Sequence, residues 1–240
     1  MTAHLAGVTG SPVLDNVLAG AAIVAVLVVI GVVMLGRGRG ARVAAAEHWF
    51  RAFAAERDGT FHSGQSGVSA VPSFGVRHPT GRPLGESGGH PWVEFRHRDH
   101  AVLGADGSEL YRAFSDHIER RDQHYVQVSV PPSPLLCVGK AQAVPAEIRD
   151  RSTRFKTMDK AFDAVYVVYT SDTAVADDVL DADLRAWLLR GLGDRPFAVE
   201  GGSVRTWGAG HLSRPTLIAE ADFLLGLTDQ LPARLWQRST

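Results

Sequence analysis

The longest apolar run of the chain lies near its N terminus, at residues 17–35. None of these residues is charged, and a helix of this length rises roughly 30 Å, which matches the hydrocarbon core of a bilayer. Apolar side chains occupy every face of the run, whereas a surface helix of a soluble domain carries a polar stripe. The pattern therefore predicts a single transmembrane helix. A cleaved signal is the open alternative, because Ala44, Ala45 and Ala46 supply small residues, although no Lys or Arg precedes the run.

Basic residues follow the predicted span on its C-terminal side. Arg37, Arg39 and Arg42 lie directly after the span, and Lys or Arg next to a span resists translocation. We therefore expect a short N terminus, residues 1–16, outside the cytoplasm, a span in the inner membrane, and a cytoplasmic C-terminal domain. Cys137 is the single cysteine, so no intrachain disulfide can form, as expected in a reducing compartment.

Two segments of contrasting composition separate the predicted span from the rest of the chain. Residues 36–57 form a basic juxtamembrane segment in which apolar residues recur at helical spacing over 43–56, which predicts an amphipathic helix. This helix could lie in the lipid interface or dock on the following domain. Docking is favoured because Glu47 and Glu56 dilute the positive charge that anionic lipid attracts. Residues 58–91 contain eight glycines and four prolines, which predicts long loops with one or two short strands.

The remaining residues, 92–236, are predicted to form one domain that begins with strands. The stretch from Gly104 to Gly107 reads as a turn. Alternation of valine and polar residues around Val128 predicts a strand buried on one face only, whereas the run 164–169 is apolar on both faces and is predicted to be the central strand. The predicted strands are 92–95, 101–103, 126–130, 135–138 and 164–169.

Helix signals are concentrated in the last third of the chain. Asp172 and Asp181 are each placed to cap a helix, and Pro215 is placed to open a closing helix. Between them, Gly201 and Gly202 separate two apolar runs, which predicts a hairpin. A run of strands followed by helices, a hairpin and a last helix indicates an α+β fold, with a mostly antiparallel sheet packed with two to three helices.

Composition limits the function classes. The formal net charge is −1, so no general attraction to nucleic acid is expected, and no nucleic-acid partner is predicted. The arginines after the span, Arg37, Arg39 and Arg42, are weak candidates for anionic lipid headgroups, at about 1 kcal/mol each.

Candidate catalytic motifs lack the context that their chemistry needs. Gly85 to Gly89 matches the pattern G-x-S-x-G around Ser87, but the buried strand and the helix of a nucleophile elbow are missing on either side. His97-Arg98-Asp99 matches three letters of a kinase catalytic loop without its glycine-rich loop or metal-binding motif. No catalytic residue is therefore predicted.

Candidate metal and thiol sites are equally weak. Five histidines invite a zinc interpretation, but no cysteine pair or H-E-x-x-H accompanies them. Acidic residues cluster at two predicted helix starts, where they suit the helix dipole. Cys137 lies among apolar neighbours, which indicates a buried thiol rather than a reactive one. No metal or cofactor is predicted from these residues: His90, His97, His100, His117, His124, Asp177, Asp178, Asp181 and Asp183.

The last third of the chain contains several recognisable segments, which include Phe162-Asp163, Ser171-Asp172, Trp187-Leu188-Leu189, Gly210-His211-Leu212 and Leu231-Pro232. With these segments, the chain from about residue 43 to 236 resembles an uncharacterised family of actinobacterial membrane-anchored proteins of unknown function. The resemblance is strongest over 162–236, and its matching positions are mostly apolar and turn residues. It therefore implies a fold and no particular chemistry.

Three hypotheses for the function follow. The favoured one is a non-catalytic binding or scaffolding module at the cytoplasmic membrane face, held in lipid by its span and meeting a protein partner there. The second is an anionic-lipid-binding module that uses Arg37, Arg39 and Arg42 with the amphipathic helix. The third is a hydrolase-like enzyme that uses Ser87, His97 or Asp99.

Overall fold

The computed structural model describes residues 47–63, 91–112 and 118–237, together with Ala44 and Ala45. The chain divides into two compact units, Met1–Ala46 and Glu47–Thr240, and the architecture below is that of the second unit. Within the described ranges, no helix combines the length and the apolar composition that a bilayer crossing requires. The predicted span, residues 17–35, and the 64–90 part of the predicted loop region lie outside these ranges.

One antiparallel sheet forms the centre of the domain. Over the described part of the chain it has nine strands in the order β1-β2-β3-β4-β9-β8-β5-β7-β6, and every neighbouring pair is antiparallel. The strands are β1 (Thr60–His62), β2 (Trp92–His97), β3 (His100–Arg112), β4 (Ile118–Ser129), β5 (Leu136–Gly139), β6 (Thr153–Phe155), β7 (Val167–Thr170), β8 (Phe197–Glu200) and β9 (Ser203–Ala209).

Six helices accompany the sheet in the described residues, so the predicted α+β fold with an antiparallel sheet is confirmed, while the predicted two to three helices are too few. The helices are α1 (47–56), α2 (Ala146–Asp150), α3 (Lys160–Val165), α4 (Thr173–Val179), α5 (Ala182–Gly191) and α6 (Arg214–Gln230). Short 3₁₀ turns occupy Ala141–Ala143 and Ala233–Gln237.

The helices α1 and α6 cover one face of the sheet. Phe53 of α1 makes an edge-on ring contact with Phe95 of β2, and the two ring centroids lie 4.9 Å apart. Phe50 and Phe53 are both buried, so the aromatic face of α1 packs on the domain. A Cβ atom at Gly104 of β3 would lie 2.6 Å from Cδ1 of Leu217 on α6. Glycine at this position therefore lets α6 lie close to the sheet.

The opposite face is covered by the short helix α2 and the 3₁₀ turn before it. Tyr125, Cys137, Trp207 and Ile148 belong to one buried apolar cluster on this side. Trp207 donates its indole N–H to the carbonyl of Ala143 at 2.8 Å, which gives the buried ring a hydrogen-bond partner.

The turn predicted from Gly104 to Gly107 is wrong, because both residues lie inside β3. Glycine is used there for packing, since a Cβ atom at Gly107 would lie 2.5 Å from the ring of Tyr125. The chain reverses earlier, at Arg98 and Asp99, whose φ angles are 49° and 65°. Positive φ at both positions is what a two-residue hairpin turn of type I′ requires.

Two other strand predictions are also corrected. The run 164–169 is divided between the end of α3 and β7, and β7 lies next to the edge of the sheet rather than at its centre. The central position belongs to β9. The strand around Val128 is buried on both faces, because Gln127 is only 4% exposed.

The predicted helix caps and the hairpin are found as expected. Asp172 accepts from the amides of Ala174 and Val175, and Asp181 accepts from the amide of Leu184. Gly201 and Gly202, with φ of 55° and 93°, join β8 to β9. Pro215 lies in the first turn of α6.

Candidate functional site

An open groove lies between α1 and the loop that precedes α6. Its volume is about 500 Å³, which is within the usual range of small-ligand sites. The wall formed by α1 consists of His48, Trp49, Ala52, Phe53 and Glu56. The opposite wall consists of Leu212, Ser213 and Arg214. We call this feature the α1–α6 groove.

Aromatic and aliphatic side chains form most of the groove, and charged groups lie at its rim. Arg214 pairs with the carboxylate of Glu56 across the groove, and both side chains are about half exposed. The guanidinium carbon of Arg214 lies 5.4 Å from the ring centroid of Phe53, and that of Arg57 lies 5.7 Å from the same centroid. Two cations therefore lie on the ring of Phe53, and Glu56 is the carboxylate of the groove lining.

The loop wall is fixed to the sheet by a buried carboxylate on β3. Asp106 is 3% exposed, and its Oδ1 accepts from the amide of Leu212 at 2.6 Å. Burial raises the pKa of Asp106, although the Leu212 amide and His211 partly oppose this effect. Asp106 therefore holds the backbone of the residue that lines the groove.

His211 bridges two carboxylates beside this anchor. Its Nδ1 lies 3.4 Å from Oδ2 of Asp106, and its Nε2 lies 3.2 Å from Oδ2 of Asp122 on β4. Nδ1 of His124, which neighbours Asp106 across the strands, lies 3.3 Å from the carbonyl of Gly210. A carbonyl only accepts, so Nδ1 of His124 carries the hydrogen. Burial lowers the pKa of His124, which favours the neutral ring.

The residues of the hydrolase hypothesis are in part engaged in structural contacts. His97 pairs through Nε2 with Asp222 of α6 at 2.8 Å, and Arg98 pairs with the same carboxylate at 3.0 Å. Asp99 lies in the tight turn, where its carbonyl accepts from Arg96. Ser87 lies outside the described residues. The structure therefore places His97 and Asp99 at a hairpin end rather than in the groove.

The other chemical candidates are also spread over the fold. His100 opens β3 on the surface, and burial raises the pKa of the Cys137 thiol to about 12. Asp178 and Asp181 both face Arg234, at 3.0 and 3.7 Å. Within the described chain, no three His, Cys, Asp or Glu residues are arranged to hold a metal ion. Asp177 lies on α4 and Asp183 in the first turn of α5. The other candidates, His90, His117, Arg37, Arg39 and Arg42, lie outside the described residues.

Sequence reasoning missed the residues that make the groove and its anchor. The local pattern predicts a turn at Asp106, although its place between apolar residues of β3 is the signal of a buried carboxylate. Gly210-His211-Leu212 belongs to the segments that carry the family resemblance, and the resemblance implies no role for it. Glu56 and Arg214 meet across 158 residues of sequence, so no local pattern joins them.

No protein-family model and no curated protein matches the chain. Among solved structures, the chain is similar to the crystal structure of the mycobacterial trehalose monomycolate transport factor A, TtfA. The two share 11% sequence identity over 60% of this chain and 75% of that chain, with a TM-score of 0.43.

Proposed function

We propose that this protein is a non-catalytic binding module anchored in the inner membrane, with its folded domain in the cytoplasm. The α1–α6 groove is its ligand site, and the ligand is a molecule with an extended apolar part. The single observation that carries this proposal is a groove of about 500 Å³ built from Trp49, Ala52, Phe53 and Leu212.

The lining supports binding of an apolar ligand rather than a reaction. Ligand sites are mostly apolar and carry a few polar groups that fix orientation, and the groove has this composition. Its polar rim groups are already engaged, since Arg214 pairs with Glu56 and the Ser213 side chain accepts from the amide of Thr216 in α6. A catalytic site would need a nucleophile and a base converging on one point.

The packing of α1 disfavours the hypothesis that this helix binds an anionic lipid surface with its aromatic face. Phe50 and Phe53 are buried against the domain, so they are not available to enter a bilayer as an exposed helix face. Trp49 and Ala52 point into the groove instead. The apolar side chains of α1 therefore pack on the domain or line the groove.

Filling the groove tests the proposal. Ala52 is an exposed alanine of α1 that lines the groove, and Ala55 is an exposed alanine of the same helix outside the lining. The full chain, reconstituted in phosphatidylcholine nanodiscs, is exposed to a photoactivatable dodecanol, a neutral probe with one apolar chain. We expect mass spectrometry to locate the label on peptides from 47–56 and 210–217 of the wild type. Ala52→Trp should remove this label, and Ala55→Trp should retain it. Equal labelling of the two variants would reject the groove as the site.

The membrane topology needs its own experiment. The basic residues after the predicted span support a cytoplasmic domain. A fluorescent protein fused to the C terminus should be fluorescent at the cell envelope, and alkaline phosphatase fused at the same point should be inactive. An active phosphatase would place the domain on the other side of the membrane and refute the orientation.

A further inference from the structure

We infer that the ligand of the α1–α6 groove is a long-chain fatty acid, with its tail along Trp49 and Leu212 and its carboxylate at Arg214. This inference rests on the proposed function, and it adds the chemical class of the ligand. It follows from the size of the groove and from the charges around its rim.

The volume fits one tail. A water molecule takes about 30 Å³ of liquid, and a methylene group is of similar size, so about 500 Å³ accommodates roughly sixteen such groups. One acyl chain therefore has about the volume of this groove. An elongated aliphatic chain also suits walls made of a helix face and a loop, because it contacts both along its length.

The rim favours an anionic head. Arg57 and Arg214 both lie on the ring of Phe53, and Glu56 is the single carboxylate of the lining. Within the lining the charges of Glu56 and Arg214 cancel, and Arg57, which lies outside the lining, adds one positive charge on the ring of Phe53. A carboxylate arriving at the rim can take the place of Glu56 beside Arg214, whereas a cationic head would meet two arginines.

The neighbouring bilayer would supply the ligand. The proposed function anchors the chain in the inner membrane, and fatty acids partition into such a membrane.

Opposite charge changes at one ion pair test the inference. Arg214→Gln and Glu56→Gln both break the Arg214–Glu56 pair, so any general structural effect of losing that pair should change both variants in the same direction. Binding of a carboxylate should instead change in opposite directions in the two variants. The full chain in phosphatidylcholine nanodiscs is labelled with photoactivatable dodecanoate, and the concentration that gives half-maximal labelling of peptides 47–56 and 210–217 is measured.

We expect R214Q to raise this concentration about threefold and E56Q to lower it about threefold, which is the size of one partly exposed charge interaction. Photoactivatable dodecanol is uncharged, so any change in its labelling should have the same direction in both variants. Dodecanoate labelling that changes in the same direction in both variants, or in neither, would overturn the fatty acid while the groove remains a site for neutral ligands. Failure of both probes to label the wild-type groove would reject the proposed function itself. A photocrosslinking residue at position 52 that captures a protein instead of an acyl chain would also overturn the inference.

Discussion

Replacing Asp106 by alanine should release the loop that forms one wall of the groove. The buried Oδ1 of Asp106 is the acceptor for the amide of Leu212 at 2.6 Å. In Asp106→Ala that amide stays in an apolar setting without this acceptor. A hydrogen bond to a charged group contributes about 1.5–3 kcal/mol, and its loss leaves the buried donor unsatisfied. We therefore expect the free energy of unfolding to fall by about 1.5–3 kcal/mol.

The matched variant Asp106→Asn separates the hydrogen bond from the charge. The asparagine oxygen can still accept from the Leu212 amide, and the variant no longer buries an ionised carboxylate. We expect its free energy of unfolding to stay within about 1 kcal/mol of the wild type. If D106N is as unstable as D106A, the anchoring role assigned to this hydrogen bond is wrong.

The contribution of Asp106 to the free energy of unfolding changes with pH in a definite direction. Burial raises the pKa of Asp106 above its ordinary value of 3.8, so the folded state retains a proton that the unfolded chain has already lost. The contribution of Asp106 to the free energy of unfolding therefore decreases as the pH rises from about 3.8 through the folded-state pKa. Asparagine does not titrate. The stability of D106N relative to the wild type should accordingly increase from about pH 3 to about pH 7.

Hydrogen–deuterium exchange provides a local measurement on the full chain. The Leu212 amide should lose protection by about 10- to 150-fold in D106A, which corresponds to the same 1.5–3 kcal/mol. Amides of the β8–β9 hairpin serve as the internal reference. Unchanged exchange at Leu212 in D106A, together with unchanged urea unfolding, would refute the reasoning.

Three further predictions concern the opposite face of the sheet. Arg205, which is 2% exposed, donates to Oε2 of Glu200 at 2.7 Å, and Arg151 pairs with the same carboxylate. In urea titrations, Glu200→Ala should lower the free energy of unfolding by about 3 kcal/mol, because it leaves the buried Arg205 without this partner. Arg151→Ala should lower it by less than about 1 kcal/mol, because Arg151 is partly exposed. Burial alone would raise the pKa of Glu200, but Arg151 and Arg205 together lower it below its ordinary 4.5, so this carboxylate's stabilisation should disappear as the pH falls below about 4.5 in the wild type and be absent from E200A. The Cys137 thiol, with its pKa raised to about 12 by burial, should not react with iodoacetamide at about pH 8 until urea unfolds the chain, as mass spectrometry of the intact protein would show; rapid labelling of the folded protein would contradict its burial.

The parts of the fold that the sequence predicts well are those fixed by local chemistry. A carboxylate before a helix satisfies amides two or three residues away, so Asp172 and Asp181 act within one turn of themselves. Gly201 and Gly202 adopt a positive φ that few other residues accept, and they join two strands directly. Neither feature depends on distant parts of the chain.

The wrong predictions have two causes. Gly104 and Gly107 are glycines because Leu217 and Tyr125 come close to them, and those neighbours are more than 15 residues away in sequence. The actual turn lies at Arg98 and Asp99, although neither is glycine. The run 164–169 resembles a central strand, yet Asp159 caps a helix that extends to Val165. Tertiary packing therefore decides the conformation at the two glycines, whereas the cap at Asp159 is a local signal that the apolar run obscured.

The groove is the extreme case of this dependence. Trp49 and Phe53 read from sequence as the apolar face of an ordinary amphipathic helix, and Leu212 reads as one apolar residue in a short loop. They become a site because Asp106, on a strand between them in sequence, fixes the Leu212 backbone while Phe95 receives Phe53. On the same helix Phe50 is buried and Ala52 lines the groove, so positions two residues apart belong to the core and to the proposed ligand surface. A site of this kind is specified by the arrangement of the sheet, and the residues that touch the ligand carry no motif of their own.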